Sequence, residues 1–352
     1  MKLKAFILNI ALILSSLLAV FLILEVLSRI FVNFKADYYS ISKKNENNFI
    51  EHPYGKIPVN SHGFFDTEFN FKEKDKIVAY FGDSVTYGVG AGYPYRFTEY
   101  LDEIDNNFEH INLSGGLGIS LNNWNTKYEN FLLENNIKRI VYMMNLNDIA
   151  PLYDNFFSEN NDLMDKKKQY SGVKNINSIK NFIKSFDNLL RGQSVFYTYV
   201  RFLVKKQFVK AGYEASGYES VELFPKKNKT YIINTSKKID EWLSLTKRKG
   251  FKSCVVVLPY EMQISKDAKN YYKSINIKFE DDFVNFSTQK IIKESLQDDK
   301  NFFFIDNNGF EEKKVGSYFV FDKGDKIDFN HPNRSGHLVI AQEINKKKIC
   351  QN

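Results

Sequence analysis

The chain has 352 residues, 43% of them hydrophobic, which suffices for one large domain or two ordinary ones with a full apolar core and excludes a disordered protein. Its formal net charge of +7 arises from lysines spread along the whole length, so no nucleic-acid footprint is indicated and nucleic acid is not expected as a partner. Two cysteines, Cys254 and Cys350, stand far apart and match neither a disulfide framework nor a zinc pattern; Cys254 sits in an apolar run and reads as a core residue, leaving the redox compartment open.

From Ala5 to Leu24 no residue is charged. A helix of that length reaches about 30 Å, the thickness of a bilayer's hydrocarbon core. The stretch "AVFLILEVLSRIF" offers no small-x-small cleavage site, so an uncleaved single-pass anchor over residues 5–27 is expected rather than a signal peptide. Lys2 and Lys4 precede the span and Arg29, Lys35, Lys43 and Lys44 follow it, so the positive-inside rule leaves the orientation undecided. Residues 28–75, polar and punctuated by "EHPYGKIPVNSHGFFD", read as a connector into a globular part over 76–348.

Short β-branched or aromatic runs follow at 76–81, 109–113, 138–144, 252–258 and 302–306. Between them the pattern predicts helices over 94–104, 124–136 and 234–249, the last closed by Gly250 at the position a C-cap requires. Strands apolar on both faces and alternating with helices predict an α/β fold, a parallel sheet covered on both sides, with ligands beyond the carboxyl ends of its strands. The gap from Asn145 to Lys252 is far longer than one crossover helix needs, so an insertion over about 150–230 is expected, leaving from the carboxyl edge of the sheet. Within it, Ile176, Ile179, Ile183, Phe186 and Leu190 keep helical spacing, and Val200, Leu203 and Val204 follow with Arg201, Lys205 and Lys206. This segment reads as a helical cap packed on the domain; the alternative is a basic face lying on the bilayer.

The stretch "YFGDSVTYGVG" (residues 80–90) ends a strand in small residues. A phosphate loop would need a Lys after its glycines, and none follows; a dinucleotide fingerprint would place its third glycine at Tyr93. The remaining reading, a serine held out as a nucleophile, demands a histidine, an acid and oxyanion donors at other strand ends. In "DKIDFNHPNRSGHLVIAQEI", Asp328 and His331 lie three apart on a loop, a spacing that lets the carboxylate hold one ring nitrogen while the other faces outward. "YMMNLNDIA" carries Asn147 just after the third strand, and "NLSGGLGIS" exposes backbone N–H groups after the second. Asp83 is expected to tie down its turn, Asp148 to serve a turn and Asn333 to cap a helix. His337 is expected to be structural, and His52, His62 and His110 to be surface or packing residues.

The blocks "FGDSVTYG", "NLSGGLG", "NLND" and "DFNHPNRSGH" resemble, in order, the four blocks of the SGNH/GDSL hydrolase superfamily, and "VNSHGFFD" is similar to the lead-in of its membrane-anchored bacterial members. The resemblance covers roughly residues 55–150 and 230–345. It implies a three-layer α/β/α fold with a five-stranded, flavodoxin-like parallel sheet, in addition to the transmembrane helix and helical insertion. It implies Ser84 as nucleophile, His331 as base and then acid, and Asp328 as orienting carboxylate. Ser84 would be presented at a strand-to-helix turn, and the oxyanion met by the N–H groups of Ser84 and Gly116 and by the Asn147 amide. The second block is one residue out of the common register, which keeps Gly115 and Gly118 as alternatives to Gly116. In the third block Asn145 replaces the usual glycine, where it would crowd the turn or add a polar contact to substrate. No cofactor or metal is implied. The activity implied is hydrolysis of esters, with acyl groups (acetyl foremost) on cell-envelope carbohydrate as first choice. The catalytic domain would then lie outside the cytoplasmic membrane, in the periplasm. An O-acyltransferase using the same triad, or a tethered carbohydrate-binding protein with a silent triad, are the alternatives.

Overall fold

The computed structural model describes residues 2–31, 49–52, 55–71, 76–115, 121, 124, 126–149, 190, 194–210, 221–275, 277–320 and 328–351. The chain divides into two compact units, Met1–Ser42 with Val173–Gln207 and Lys43–Gly172 with Phe208–Asn352.

The first unit holds helix α1 (Lys2–Phe31) and most of helix α4 (Val195–Lys210). Within α1, Ala11–Phe31 has a mean hydropathy of 2.5 and is long and apolar enough to cross a membrane, a property that anchors and signal sequences share. Of the expected insertion, residues 150–189, 191–193 and 211–220, including the helix expected around Ile176–Phe186, lie outside the described residues.

The second unit is built on β3 (Ile77–Gly82), β4 (Glu109–Asn112), β5 (Arg139–Met144), β6 (Lys252–Val257) and β7 (Phe302–Phe304). They form one all-parallel sheet in the order β4-β3-β5-β6-β7. A separate antiparallel hairpin, β1 (Phe49–His52) and β2 (Gly55–Pro58), precedes it. The strands are buried almost throughout, as sequences without hydrophobic alternation require. On one face Ala79, Phe81, Tyr142 and Val255 share a core with α3 (Thr126–Glu134), α5 (Lys229–Arg248), α6 (Lys266–Ser274) and α7 (Ser287–Glu294). On the other, Val78, Tyr80, Val141 and Val256 pack with α2 (Phe97–Ile104) and α8 (Arg334–Lys346). Each fully buried aliphatic or aromatic side chain contributes ~1.5–3 kcal/mol, so both helical layers are needed to dry the sheet.

The expected elements end within a few residues of the observed ones, with two instructive differences. Helix α2 starts at Phe97 rather than at residue 94, because Arg96 immediately before it holds an extended backbone (φ -85°, ψ 165°) as the N-cap. Ser84 lies at the head of the run of turns that leads from β3 to α2. The two cysteines, read as unrelated, form the Cys254–Cys350 disulfide, which joins β6 to the end of the chain. Their separation of 96 residues hid the pairing, because the contact exists only once α8 packs back over the sheet.

Candidate active site

The strand order puts the first and third strands of the sheet side by side, and at that switch point the chain leaves in opposite directions to open a crevice beyond the carboxyl ends. Ser84 follows β3 there, and Asn145 and Asn147 follow β5. His331 arrives from the segment before α8. Its carbonyl accepts from Val320 N–H at 2.9 Å, and Pro332 bridges Phe319. Asn333 fixes the entry to α8: its Oδ1 accepts from Gly336 N–H at 3.1 Å, and its Nδ2 donates to the carbonyls of Gly316, Ser317 and Phe319 at 3.0–3.2 Å. This is the expected cap, with a second task as a splint.

The turn after β3 and this splinted loop touch. A Cβ on Gly90 would lie 2.1 Å from the carbonyl oxygen of Pro332, and Arg334 Nε donates to the Ala91 carbonyl at 3.2 Å. The outcome is a continuous relay. Ser84 Oγ is 2.8 Å from His331 Nε2, and His331 Nδ1 is 3.0 Å from both carboxylate oxygens of Asp328. Asp328 Oδ1 also accepts the His331 backbone N–H at 3.2 Å, so the acid grips ring and backbone together. Ser84, Asp328 and His331 are 6%, 6% and 2% exposed. Because a carboxylate can only accept, the proton sits on Nδ1, and Nε2 is left as acceptor for the serine hydroxyl. The rival partner of Ser84 Oγ, Asp83 Oδ2, is at 3.5 Å and loses to the shorter bond. Such a relay can strip a proton from the serine hydroxyl while keeping the imidazolium paired.

Asp83 accepts from Val85 N–H at 2.9 Å and from Asn145 Nδ2 at 3.3 Å, and the Asn147 amide bonds the same carboxyl. Burial raises its pKa, against those hydrogen bonds and the His331 charge. Asp148 lies beneath, taking the Tyr142 hydroxyl at 2.7 Å and the Asn145 N–H at 3.2 Å; burial and then the Asp83 charge push it well above the usual carboxylate range. Asp148 is thus a buried support for the post-β5 turn. Asn145 is 1% exposed and its side-chain amide braces Asp83, the neighbour of Ser84. Asn147 stands exposed at the rim. Gly116 and Gly118 lie outside the described residues, and Gly115 is described, half-buried, near the Gly63 carbonyl.

Among the other histidines, His337 is fully buried, and its Nδ1 accepts from Phe97 N–H at 3.2 Å. His110 is the packing residue of the set: it is buried, 3.0 Å from the Tyr80 hydroxyl, and it pairs with Asp105 at 3.3 Å, a partner the sequence did not suggest. The acid lies five positions back, across the start of β4, a spacing with no local signature. His62 is exposed beside the Phe69 and Phe131 rings, and the side chain of His52 lies outside the described residues. Sequence reasoning also missed Arg96, fully buried and paired with Asp66 at 2.8 Å and with Glu99, which lashes the "VNSHGFFD" segment to α2. Its i,i+3 spacing to Glu99 was the available signal. A cavity of about 610 Å³ opens at the opposite edge of the sheet, between Lys247, Lys252, Lys300 and the disulfide, and contains none of the relay residues.

No family model and no curated protein matches the chain. Solved structures do resemble it. A lipase from a goat-rumen metagenome aligns at 15% identity over 78% of this chain and 97% of its own, with a TM-score of 0.39. A catalytic mutant of an acetylxylan esterase from Geobacillus stearothermophilus aligns at 11% identity over 77% and 93%, with a TM-score of 0.38. An alpha/beta hydrolase enzyme from the metagenome of Lake Arreo, Spain, aligns at 13% identity over 80% and 99%, with a TM-score of 0.34. Likenesses this distant carry neither activity nor substrate over to this chain.

Proposed function

We propose that the chain is a serine ester hydrolase of the SGNH type that removes acyl groups, acetyl foremost, from cell-envelope carbohydrate. The observation that carries this reading is the relay Ser84–His331–Asp328, closed at 2.8 and 3.0 Å by segments far apart in the chain. Ser84 Oγ attacks the acyl carbon as its proton passes to His331 Nε2, and Asp328 holds the resulting imidazolium. The oxyanion is met by the N–H of Ser84, the N–H of Gly116 and the amide of Asn147, which swings from Asp83 to do so. Collapse expels the sugar hydroxyl with the proton from His331, and water repeats the sequence on the acyl-serine. The chemistry of a silent triad is disfavoured by the placement of Asn145, which is buried under the turn and bonded to Asp83.

Helix α1 serves in this reading as an uncleaved membrane anchor, with the α/β unit on the outer side of the cytoplasmic membrane. The Cys254–Cys350 disulfide supports that side, since such bonds persist in oxidising compartments. A fluorophosphonate probe applied to the full chain in vesicles is expected to label it, and Ser84→Ala to abolish both labelling and hydrolysis of p-nitrophenyl acetate. Labelling that survives the substitution would assign the nucleophile elsewhere.

A further inference from the structure

Glu25 is the first charged residue after the uncharged stretch Ala5–Leu24, and it sits inside the apolar segment Ala11–Phe31. Its neighbours Leu22, Ile23, Val26, Leu27 and Ile30 are all exposed. A carboxylate in such surroundings is costly unless its oxygens are satisfied by protein. They are: Glu25 accepts from Ser194 Oγ at 2.6 Å, Val195 N–H at 3.1 Å and Phe196 N–H at 3.0 Å, and Arg29 reaches it at 2.7 Å from one turn on. The acid of one helix thereby caps the amino terminus of another, where orphan N–H groups and the helix dipole both favour negative charge. The Phe21 and Phe196 rings meet edge to face at 5.8 Å beside it.

This contact fixes where α4 begins, near the carboxyl end of the apolar span. Along α4, Val200, Leu203, Val204 and Gln207 are exposed at i, i+3, i+4 and i+7, while Ser194 and Thr198 are buried. The three apolar members are 38%, 37% and 48% exposed. The helix contains Arg201, Lys205, Lys206 and Lys210 and no acidic residue. An exposed apolar stripe on a basic helix, beginning beside the exposed apolar flank of α1, complements anionic headgroups over acyl chains.

We propose that Val195–Lys210 is a second membrane element, an interfacial helix that Glu25 docks to the end of the span and that lies with Val200, Leu203 and Val204 in the headgroup region of an anionic bilayer. The proposal rests on the reading of α1 as an uncleaved span. The test uses the full chain reconstituted into vesicles of phosphatidylcholine and phosphatidylglycerol, with a nitroxide at Leu203→Cys or, separately, at Leu17→Cys; the two native cysteines are paired and do not react. Relaxation by oxygen is compared with relaxation by a water-soluble nickel chelate. At position 203 the oxygen-to-nickel ratio is expected to exceed that of an aqueous nitroxide several-fold and to fall back in Glu25→Ala, while position 17 stays immersed in both backgrounds. An aqueous reading at 203 beside an immersed 17 would overturn the interfacial helix alone. An aqueous reading at 17, or its absence from the purified chain, would overturn the anchor itself.

Discussion

Gly90 sets how close the serine turn and the histidine loop can approach. A methyl group there would sit 2.1 Å from the Pro332 carbonyl oxygen, a backbone atom, and 2.7 Å from Val320 Cγ2, so one of the two segments would have to shift. Gly90→Ala is expected to cost ~1–3 kcal/mol of stability by overpacking. It is also expected to lower esterase turnover on the order of 10²-fold, the usual penalty for misplacing a reacting group by about an ångström. Thermal melts and p-nitrophenyl acetate kinetics on one preparation check both effects. His337 yields a prediction about acid. Burial first, then the charge of Arg96, holds its pKa at about 3, against an ordinary value of 6.5. A histidine depressed in this way stabilises the fold above its unfolded pKa, and that contribution drains away as pH falls from 6.5 toward 3. His337→Asn keeps an acceptor for Phe97 N–H but cannot titrate. Its urea midpoint is expected to be lower than wild type at neutral pH and to decline less steeply on acidification; parallel declines would refute the assignment. The Asp328–His331 pair was legible because its members lie three apart, whereas the His110–Asp105 pair was not, because it closes only when β4 is laid down.

At the scale of elements, what could be read were apolar periodicity and termini. Helix α5 ends as Gly250 implied: Gly250 takes φ 83°, its N–H bonds Lys247 O at 3.0 Å, and Phe251 N–H reaches back to Thr246 O at 3.0 Å. A Cβ there would meet nothing within 4 Å, so only the left-handed backbone opposes a side chain. Gly250→Ala should cost ~1 kcal/mol, a fall of about 2–4 °C in melting temperature, with esterase activity intact. Differential scanning calorimetry reads it; an unchanged transition would mean that the end of α5 rearranges freely. Helix α2 starts three residues later than the pattern predicts, because its N-cap Arg96 holds an extended backbone (φ -85°, ψ 165°) while its buried side chain pairs with Asp66 and Glu99.

Across the whole molecule, the parallel sheet and its covered faces were foreseeable because strands without a polar face need two helical layers. The disulfide was not, since nothing local marks a cysteine pair whose members meet through α8. Disulfides typically stabilise a fold by ~2–4 kcal/mol, mainly by restricting the unfolded chain, and the chain-entropy relation puts a loop of 96 residues slightly higher, at about 4.7 kcal/mol. Reduction, or Cys350→Ser, is therefore expected to lower the urea midpoint while leaving probe labelling of Ser84 unchanged at moderate temperature; loss of labelling in the folded protein would show that the bond also shapes the site. The bond has a topological consequence. It closes a covalent ring that encloses Asp328 and His331 and leaves Ser84 outside. A protease that nicks the backbone anywhere between the two sulfurs releases no fragment until a reducing agent is added. A single cut between Ser84 and Cys254 severs the hydroxyl from its imidazole, and only noncovalent packing then keeps the two pieces registered.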